Sequence, residues 1–426
     1  MEAFASRKSK CYNDRNFFPS RERSPRGSLK MHSKTLNNIS PRIRKKLILW
    51  AILHPRYLKS YFSLYHSYLK AKKIRENELK KGLQIPSTLI ISITPYCNLN
   101  CLGCYAHTAG NIQPAPHPKT KNPFSPLLDY EKWKKILQEA RELGIFLYII
   151  AGGEPFLFPK LINFCEEFKD LTFTIFTNGT VLAETDYQIL KDSTNLAIIV
   201  SIEGSSEFTE QRRGSGVYEK ALKTIHRLNK IGVPTGISST ITRTNYNYWI
   251  DPKNIDNLIK QNIRILFLIE YIPPTLPVTP PKMKTIDNFL NSSAENNLSD
   301  YSFLLSSEER KEFRRQIIKY RSTKPIFIIH SPGDEEYFGG CISAGRGFAH
   351  ITPAGDLTPC PVSNIATHNL TSSSLREALA SPLFKEIRKN KQLLETDGLP
   401  CALFAHPEEV SKLANLVGAY RTDLKI

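Results

Sequence analysis

From residue 87 onward, short runs of aliphatic and β-branched residues alternate with stretches whose apolar positions recur at helical spacing. The runs 88–93, 146–150, 172–176, 196–201, 235–241 and 264–269 predict six strands. Between the first two, Trp133, Ile136, Leu137 and Ala140 fall at i, i+3, i+4 and i+7, behind Asp129 as a cap and ahead of Gly144 as a stop. Tyr218, Ala221, Leu222, Ile225 and Leu228 repeat the pattern from Val217 to near Gly232. Six strand-then-helix units with right-handed crossovers predict an α/β fold around a parallel sheet. Periodicity alone does not choose between a curled partial barrel and an open, doubly wound sheet.

Beyond the sixth strand the pattern breaks. Pro273, Pro274, Pro277, Pro280 and Pro281 mark an extended linker, followed by a helical stretch at 308–320 and a short apolar run at 326–329. A cysteine-containing tail begins at Gly340. Before the first strand, residues 1–40 are polar, basic and aperiodic, a composition expected to stay disordered. The expected division is therefore a basic tail (1–40), a basic aromatic helical segment (41–84), a core (85–272), a linker with a helical insertion (273–339) and a C-terminal domain (340–426).

Charge sharpens this division. The chain carries a net +18, and residues 1–81 alone hold 21 Lys and Arg against 5 Asp and Glu, leaving the remainder nearly neutral. The basic character belongs to the N-terminal appendage, so no nucleic-acid partner is expected for the core. Residues 42–81 mix cations with Trp50, Tyr57, Tyr61, Phe62, Tyr65 and Tyr68. Two readings follow: a helical pair that packs its aromatics on the protein body, or a peripheral contact with an anionic membrane. The apolar run 47–53 is far short of the roughly 20 residues that span a bilayer, and no signal-peptide core is visible. With eight cysteines, six of them in two groups suited to metal and Cys11 and Cys165 standing alone, a reducing cytoplasm is the expected location.

The densest chemistry is Cys97-Asn-Leu-Asn-Cys101-Leu-Gly-Cys104, directly after the first predicted strand. Three thiolates at this spacing can wrap one metal centre and leave a position open. Zinc sites usually pair one C-x2-C with a second such pair, which is missing here, whereas iron–sulfur clusters are held by cysteines on short loops. Ligand sites in parallel α/β folds lie at the carboxyl ends of strands, and there the chain places Ala151-Gly152-Gly153-Glu154-Pro155, Thr177-Asn178-Gly179 and Ser201-Ile202-Glu203-Gly204. Arg213-Gly214 precedes the helix at Val217; a solvated surface arginine is the plain alternative for Arg212 or Arg213.

The C-x3-C-x2-C loop and the Gly-Gly-Glu-Pro turn resemble the radical S-adenosylmethionine (SAM) enzymes over about residues 87–405. The resemblance implies a partial (β/α)6 barrel. It also implies that Cys97, Cys101 and Cys104 hold a catalytic [4Fe-4S] cluster whose open iron binds the methionine part of SAM. Gly152, Gly153, Glu154 and Pro155 would then contact SAM's amino group, Asn178, Ser201 and Glu203 its ribose and methionine, and Arg213 its carboxylate. The segment 240–245 would line the site. One departure stands out: the residue before the third cysteine is usually aromatic in this family and packs on the adenine, whereas here it is Gly103, with Tyr96 and Tyr105 as the nearby aromatics.

Cys341, thirteen residues, Gly355, four residues and Cys360 resemble the opening of a SPASM or twitch extension, including a 351–356 hairpin, with Ser374 and 381–388 resembling its helical part. Only Cys401 follows. A shortened, twitch-like domain with one auxiliary [4Fe-4S] cluster on Cys341, Cys360 and Cys401 is implied, its fourth ligand being His406, a carboxylate, substrate or water; inert buried thiols are the alternative. The implied activity is reductive SAM cleavage and hydrogen abstraction from a peptide or small-metabolite substrate, with a flavodoxin or ferredoxin as electron donor. A non-catalytic iron–sulfur carrier or sensor on a SAM-binding scaffold, and an RNA-modifying enzyme using the basic N-terminus, are the competing readings.

Overall fold

A computed structural model describes residues 55–108, 112–114, 127–273, 302–396 and 398–423. The basic tail 1–40, the apolar run 47–53, Trp50 and the linker prolines after Pro273 lie outside them.

The six expected strands form as β1 (Thr88–Ser92), β2 (Leu147–Ala151), β3 (Thr172–Thr177), β4 (Leu196–Ser201), β5 (Thr235–Ile241) and β6 (Ile265–Glu270), each within one residue of its predicted position at either end. All pair in parallel in sequence order. Ile91, Ile150, Ile175 and Ile198 stand in register across four neighbouring strands, and none is exposed. A fully apolar row is what a parallel sheet covered by crossover helices requires.

The helices follow the predicted periodicity. Helix α1 (Pro55–Lys80) precedes the barrel, and α2 (Tyr130–Glu142) begins where the Asp129 carboxylate accepts a hydrogen bond from the Lys132 N–H at 2.9 Å. Helix α2 buries Trp133, Ile136, Leu137 and Ala140, and the Trp133 indole N–H donates to the Ile93 carbonyl, tying the helix to the end of β1. Helices α3 (Leu161–Glu166), α4 (Glu184–Leu190), α5 (Ser206–Arg213), α6 (Val217–Lys230) and α7 (Pro252–Lys260) complete the crossovers.

The sheet is larger than six strands. The stretch at 308–320 is α8 (Ser307–Thr323), opened by a reciprocal Ser306–Glu309 capping box, and it leads into β7 (Phe327–Ser331), which pairs in parallel with β6. The expected helical insertion is thus another helix and strand of the barrel. At the opposite edge, β8 (Phe348–Ile351) pairs in parallel with β1 and turns through Gly355 into antiparallel β9 (Leu357–Thr358). The nine strands run β9-β8-β1-β2-β3-β4-β5-β6-β7 without closing, an open-sided barrel.

The C-terminal segment, expected to stand as a domain of its own, therefore starts inside the main sheet. Its helices α9 (Leu375–Leu379) and α10 (Pro382–Lys389), capped by Ser374 and Ser381, bury Leu375, Leu379, Leu383 and Phe384 in the same apolar core as Leu89 and Trp133. Helix α11 (Ala402–Ala405) and helix α12 (Pro407–Leu416) close the segment.

Only one helix is described in the segment expected as a helical pair. In α1, Tyr57 is buried and the Tyr68 ring packs edge-on against Phe146, while Glu78 bonds Arg376 at 2.6 Å; Tyr61, Phe62 and Tyr65 are exposed. No helix among the described residues is long and apolar enough to cross a membrane.

Because barrel and C-terminal helices share one core, Phe384→Ala is expected to lower the stability of the whole by about 3–5 kcal/mol. Calorimetry should show a single transition displaced to lower temperature, and a separate low-temperature transition would indicate independent units.

Candidate active site

The loop after β1 is fastened at several points. The Gly153 N–H donates to the Thr94 carbonyl at 2.8 Å, the Glu154 N–H to the Tyr96 carbonyl at 2.7 Å and the Leu102 N–H to the Arg212 carbonyl at 2.9 Å. Asn98 accepts from the Asn178 side chain and donates to the Thr180 hydroxyl, both at 2.9 Å. Gly152 and Gly153 permit this closeness: a Cβ on Gly152, whose φ is +133°, would lie 2.5 Å from the Thr94 oxygen, and one on Gly153 2.0 Å from the Tyr96 oxygen. What these glycines admit is the backbone of the cysteine loop.

Cys97, Cys101 and Cys104 are half-buried on this loop, and Cys97 is near enough to the other two to feel their charge. Burial pushes the Cys97 thiol up to about 12 despite a hydrogen bond from the Leu99 N–H, and it also raises Cys101, against the pull of the Arg213 and Arg212 guanidiniums. Among the described residues no three His, Cys, Asp or Glu side chains close as tightly as a single ion needs. Three half-buried thiols on one short loop, beside guanidiniums that favour thiolate, suit a cluster held by cysteines.

Glu154 is fully buried and spans two strand ends. Its carboxylate accepts from the Thr177 hydroxyl at 2.6 Å, the Asn178 N–H at 2.8 Å and the Phe156 N–H at 3.2 Å. Burial lifts its pKa to about 7 even so, with the three donors pulling downward. Pro155 opens the short turn Pro155–Leu157 that follows. Ser201 exchanges a hydroxyl hydrogen bond with Ser238 at 3.0 Å.

Glu203, also fully buried, is a charge hub. One oxygen takes Arg212 at 2.6 Å and Arg213 at 2.7 Å; the other accepts the Thr240 N–H at 2.9 Å and the Ser239 hydroxyl at 3.2 Å. Burial pushes this carboxyl up, but the two guanidiniums outweigh it and hold it below the ordinary value. Neither arginine is a solvated surface residue, since their side chains are only 15% and 10% exposed. Arg212, which has no family role in the sequence reading, reaches toward the Gly103 carbonyl at 3.4 Å, so both arginines border the cysteine loop.

Gly103 has a partner that motif reading did not find. Its φ is +63°, and a Cβ there would stand 2.8 Å from the Tyr271 ring. Tyr271 follows β6, is buried, and meets Phe303 edge-on at 5.7 Å. Together with Leu102, Phe208, Arg212, Thr242 and Asn245 it lines a small cleft, with a cavity volume of about 20 Å³, beside the cysteine loop. Tyr96 and Tyr105 are half-buried within the loop's own segment, where Tyr105 opens a helical turn.

Beside Tyr271, Glu270 bonds His330 at 2.8 Å and Arg310 at 2.6 Å. Burial works against the Glu270 charge, but His330 and Arg310 prevail and hold its pKa at about 2.

A second set of thiols gathers in the C-terminal segment, with Cys360 two residues beyond β9. Cys341, Cys360 and Cys401 are all buried, and Cys360 feels the charge of the other two. Burial raises all three, Cys401 to about 11. The His406 Nε2 lies 3.1 Å from the Glu395 carbonyl, whereas Glu335 is the carboxylate within hydrogen-bonding reach of Cys341.

Residues 91–261 match the radical SAM superfamily, and residues 341–402 match the SPASM iron–sulfur cluster-binding domain. The chain is 24% identical over 328 residues to the AdoMet-dependent heme synthase of Methanosarcina barkeri, covering 72% of this chain and 86% of that protein. It is 25% identical over 335 residues to the mycofactocin maturase MftC of Mycobacterium tuberculosis, covering 73% and 75%. SuiB of Streptococcus suis has a similar fold, with a TM-score of 0.53 and 20% identity over 76% of this chain and 72% of SuiB.

Two outcomes follow from the buried charges. Glu203→Ala, which strands two buried guanidiniums, should cost about 3–5 kcal/mol in urea unfolding, and Glu203→Gln clearly less. Glu270 has its pKa lowered on folding, so it contributes stability above the ordinary 4.5 that is lost as pH falls toward 2. Glu270→Gln should therefore flatten stability against pH below 4.5, and an unchanged acid limb would count against the ion pairs.

Proposed function

We propose, from the premise that this chain belongs to the radical SAM superfamily and carries a SPASM-type iron–sulfur domain, that it abstracts hydrogen from a peptide or small-metabolite substrate at the mouth of the barrel. The observation that carries the proposal is the loop after β1, which holds three half-buried thiols at a strand end against the cleft lined by Tyr271. When bound, a reduced [4Fe-4S] cluster supplies the electron that cleaves SAM to methionine and a 5′-deoxyadenosyl radical, the species that takes hydrogen from substrate.

The protein's share is holding and shielding. Cys97, Cys101 and Cys104 are the ligands, with Arg212 and Arg213 offsetting the anionic charge of their thiolates. Gly152, Gly153, Glu154, Pro155 and Asn178 shape the wall against which SAM's amino group lies; Glu154 contributes mainly by locking the ends of β2 and β3 together, because its oxygens already accept three protein hydrogen bonds. Ser201, Glu203 and Arg213 form the opposite wall, with Arg213 shared between Glu203 and the ligand's carboxylate. Tyr271 takes the place of the aromatic side chain that Gly103 lacks and offers its ring to the adenine, while Tyr105 backs the loop. Cys341, Cys360 and Cys401 hold an auxiliary cluster near the substrate's entry.

Both substrate classes have support among relatives: SkfB of Bacillus subtilis, a sporulation killing factor maturation protein, is 25% identical over 168 residues (38% of this chain and 37% of SkfB), and the GTP 3′,8-cyclase of Clostridium botulinum is 24% identical over 287 residues (66% and 82%). A flavodoxin or ferredoxin supplies electrons, and the exposed Tyr61, Phe62 and Tyr65 offer a peripheral contact to an anionic membrane.

Anaerobically reconstituted, reduced protein should cleave SAM to 5′-deoxyadenosine and methionine slowly without substrate. Changing Cys97, Cys101 and Cys104 together to Ala should abolish this and remove about half of the iron. A triple variant that keeps all its iron would sink the assignment. Tyr271→Ala should weaken SAM binding roughly two- to twelvefold, the loss of about 0.5–1.5 kcal/mol of aromatic contact. Unchanged affinity in calorimetric titration would leave the adenine contact to Tyr96 or Tyr105.

A further inference from the structure

The buried carboxylate of Glu335 lies in the short helical turn Gly333–Phe338 that follows β7, six residues before Cys341. The chain folds back over it: the Gly340 N–H donates to the Glu335 carbonyl at 3.1 Å, and the Ile342 N–H donates to its Oε2 at 3.3 Å. This return places the carboxylate within hydrogen-bonding reach of the Cys341 thiol, and near enough to Cys360 and Cys401 for its charge to act on both. The carboxylate thus lies beside Cys341, whose thiol also donates to the Ser343 hydroxyl at 3.1 Å, and within electrostatic range of Cys360 and Cys401.

Glu335 is only 8% exposed, yet no salt bridge reaches it among the described residues. Arg346, the nearest cation to act on it, spends its guanidinium on the carbonyls of Cys341 and Phe338. A buried carboxylate that makes no direct ion pair is costly, and Arg346 offsets its charge only from a distance. Iron would supply the missing positive charge, and a carboxylate oxygen is an ordinary donor to it. His406 donates its Nε2–H to the Glu395 carbonyl at 3.1 Å, whereas Glu335 is the carboxylate in hydrogen-bond contact with a thiol of the set.

We infer that Glu335 is the fourth protein ligand of the auxiliary cluster, giving it a Cys341, Cys360, Cys401, Glu335 donor set; this rests on the auxiliary-cluster reading above. An oxygen ligand completes the site from within the chain, so the cluster has no iron left open to substrate. Its role is then electron transfer or structure. Exchanging oxygen for the more electron-donating thiolate should lower the cluster's reduction potential.

The test uses the full chain with Cys97, Cys101 and Cys104 changed to Ala, reconstituted anaerobically with iron and sulfide, so that only the auxiliary site contributes. This background should hold about four iron atoms per chain, and adding Glu335→Ala should reduce that to about three, with the electron paramagnetic resonance signal of an oxidised [3Fe-4S] cluster. Glu335→Cys should keep about four and titrate at a lower midpoint potential. A Glu335→Ala protein with full iron and an unchanged spectrum, or a Glu335→Cys protein with an unchanged potential, overturns the ligand assignment alone. A background that binds no iron overturns the auxiliary cluster itself, and the ligand with it.

Discussion

The backbone of Gly152 and Gly153 runs so close beneath Thr94 and Tyr96 that no side chain fits between them. That contact fixes the cysteine loop relative to the sheet, and the rest of the site is arranged around it. A loop carrying three metal ligands gains from having its conformation set before the metal arrives, because every degree of freedom it keeps must be lost on binding. Here most of that ordering is done by main-chain hydrogen bonds to β2 and α5, which leaves the side chains of the loop available for chemistry.

Charge is distributed with the same economy. Three buried carboxylates, Glu154, Glu203 and Glu270, sit at the ends of the alternate strands β2, β4 and β6, and each joins segments distant in sequence. Glu154 uses neutral donors and is the one lifted toward neutrality; Glu203 and Glu270 face guanidiniums and remain anionic. The difference follows from partners, not from depth, since all three are almost completely removed from solvent.

The strands of the barrel core were legible because parallel strands buried on both faces read as continuous β-branched runs, and the helices because Asp129 and the i, i+3, i+4 pattern are local signals. The cysteine groups were legible because ligand spacing is also local. What escaped was nonlocal. The run at 326–329 is apolar enough for a strand, but nothing in it reveals that it extends the barrel beside β6. Tyr271 fills the space beside Gly103 from another strand end, and no motif links the two positions. Glu335 belongs to no recognisable spacing, and only the return of the chain over it brings it to the thiols. The exposed Tyr61, Phe62 and Tyr65 contrast with buried Tyr57 in the same helix, because composition does not say which face of a helix meets the protein.

The parallel pairing of β1 with β8 has a consequence for how the chain is made. Thr88 pairs with Phe348, so the strand that leads into the cysteine loop waits 260 residues for its outer neighbour. As synthesis proceeds from the N-terminus, β2 covers one side of β1 while the other side, within the apolar sequence Thr-Leu-Ile-Ile-Ser, remains an unpaired edge open to strands of other chains. Long-range parallel pairing of this kind is slow to form. A strand made some 260 residues later thus seals the strand on which the first metal ligands depend, and a chain truncated before residue 348 would present a sticky edge instead of a smaller enzyme.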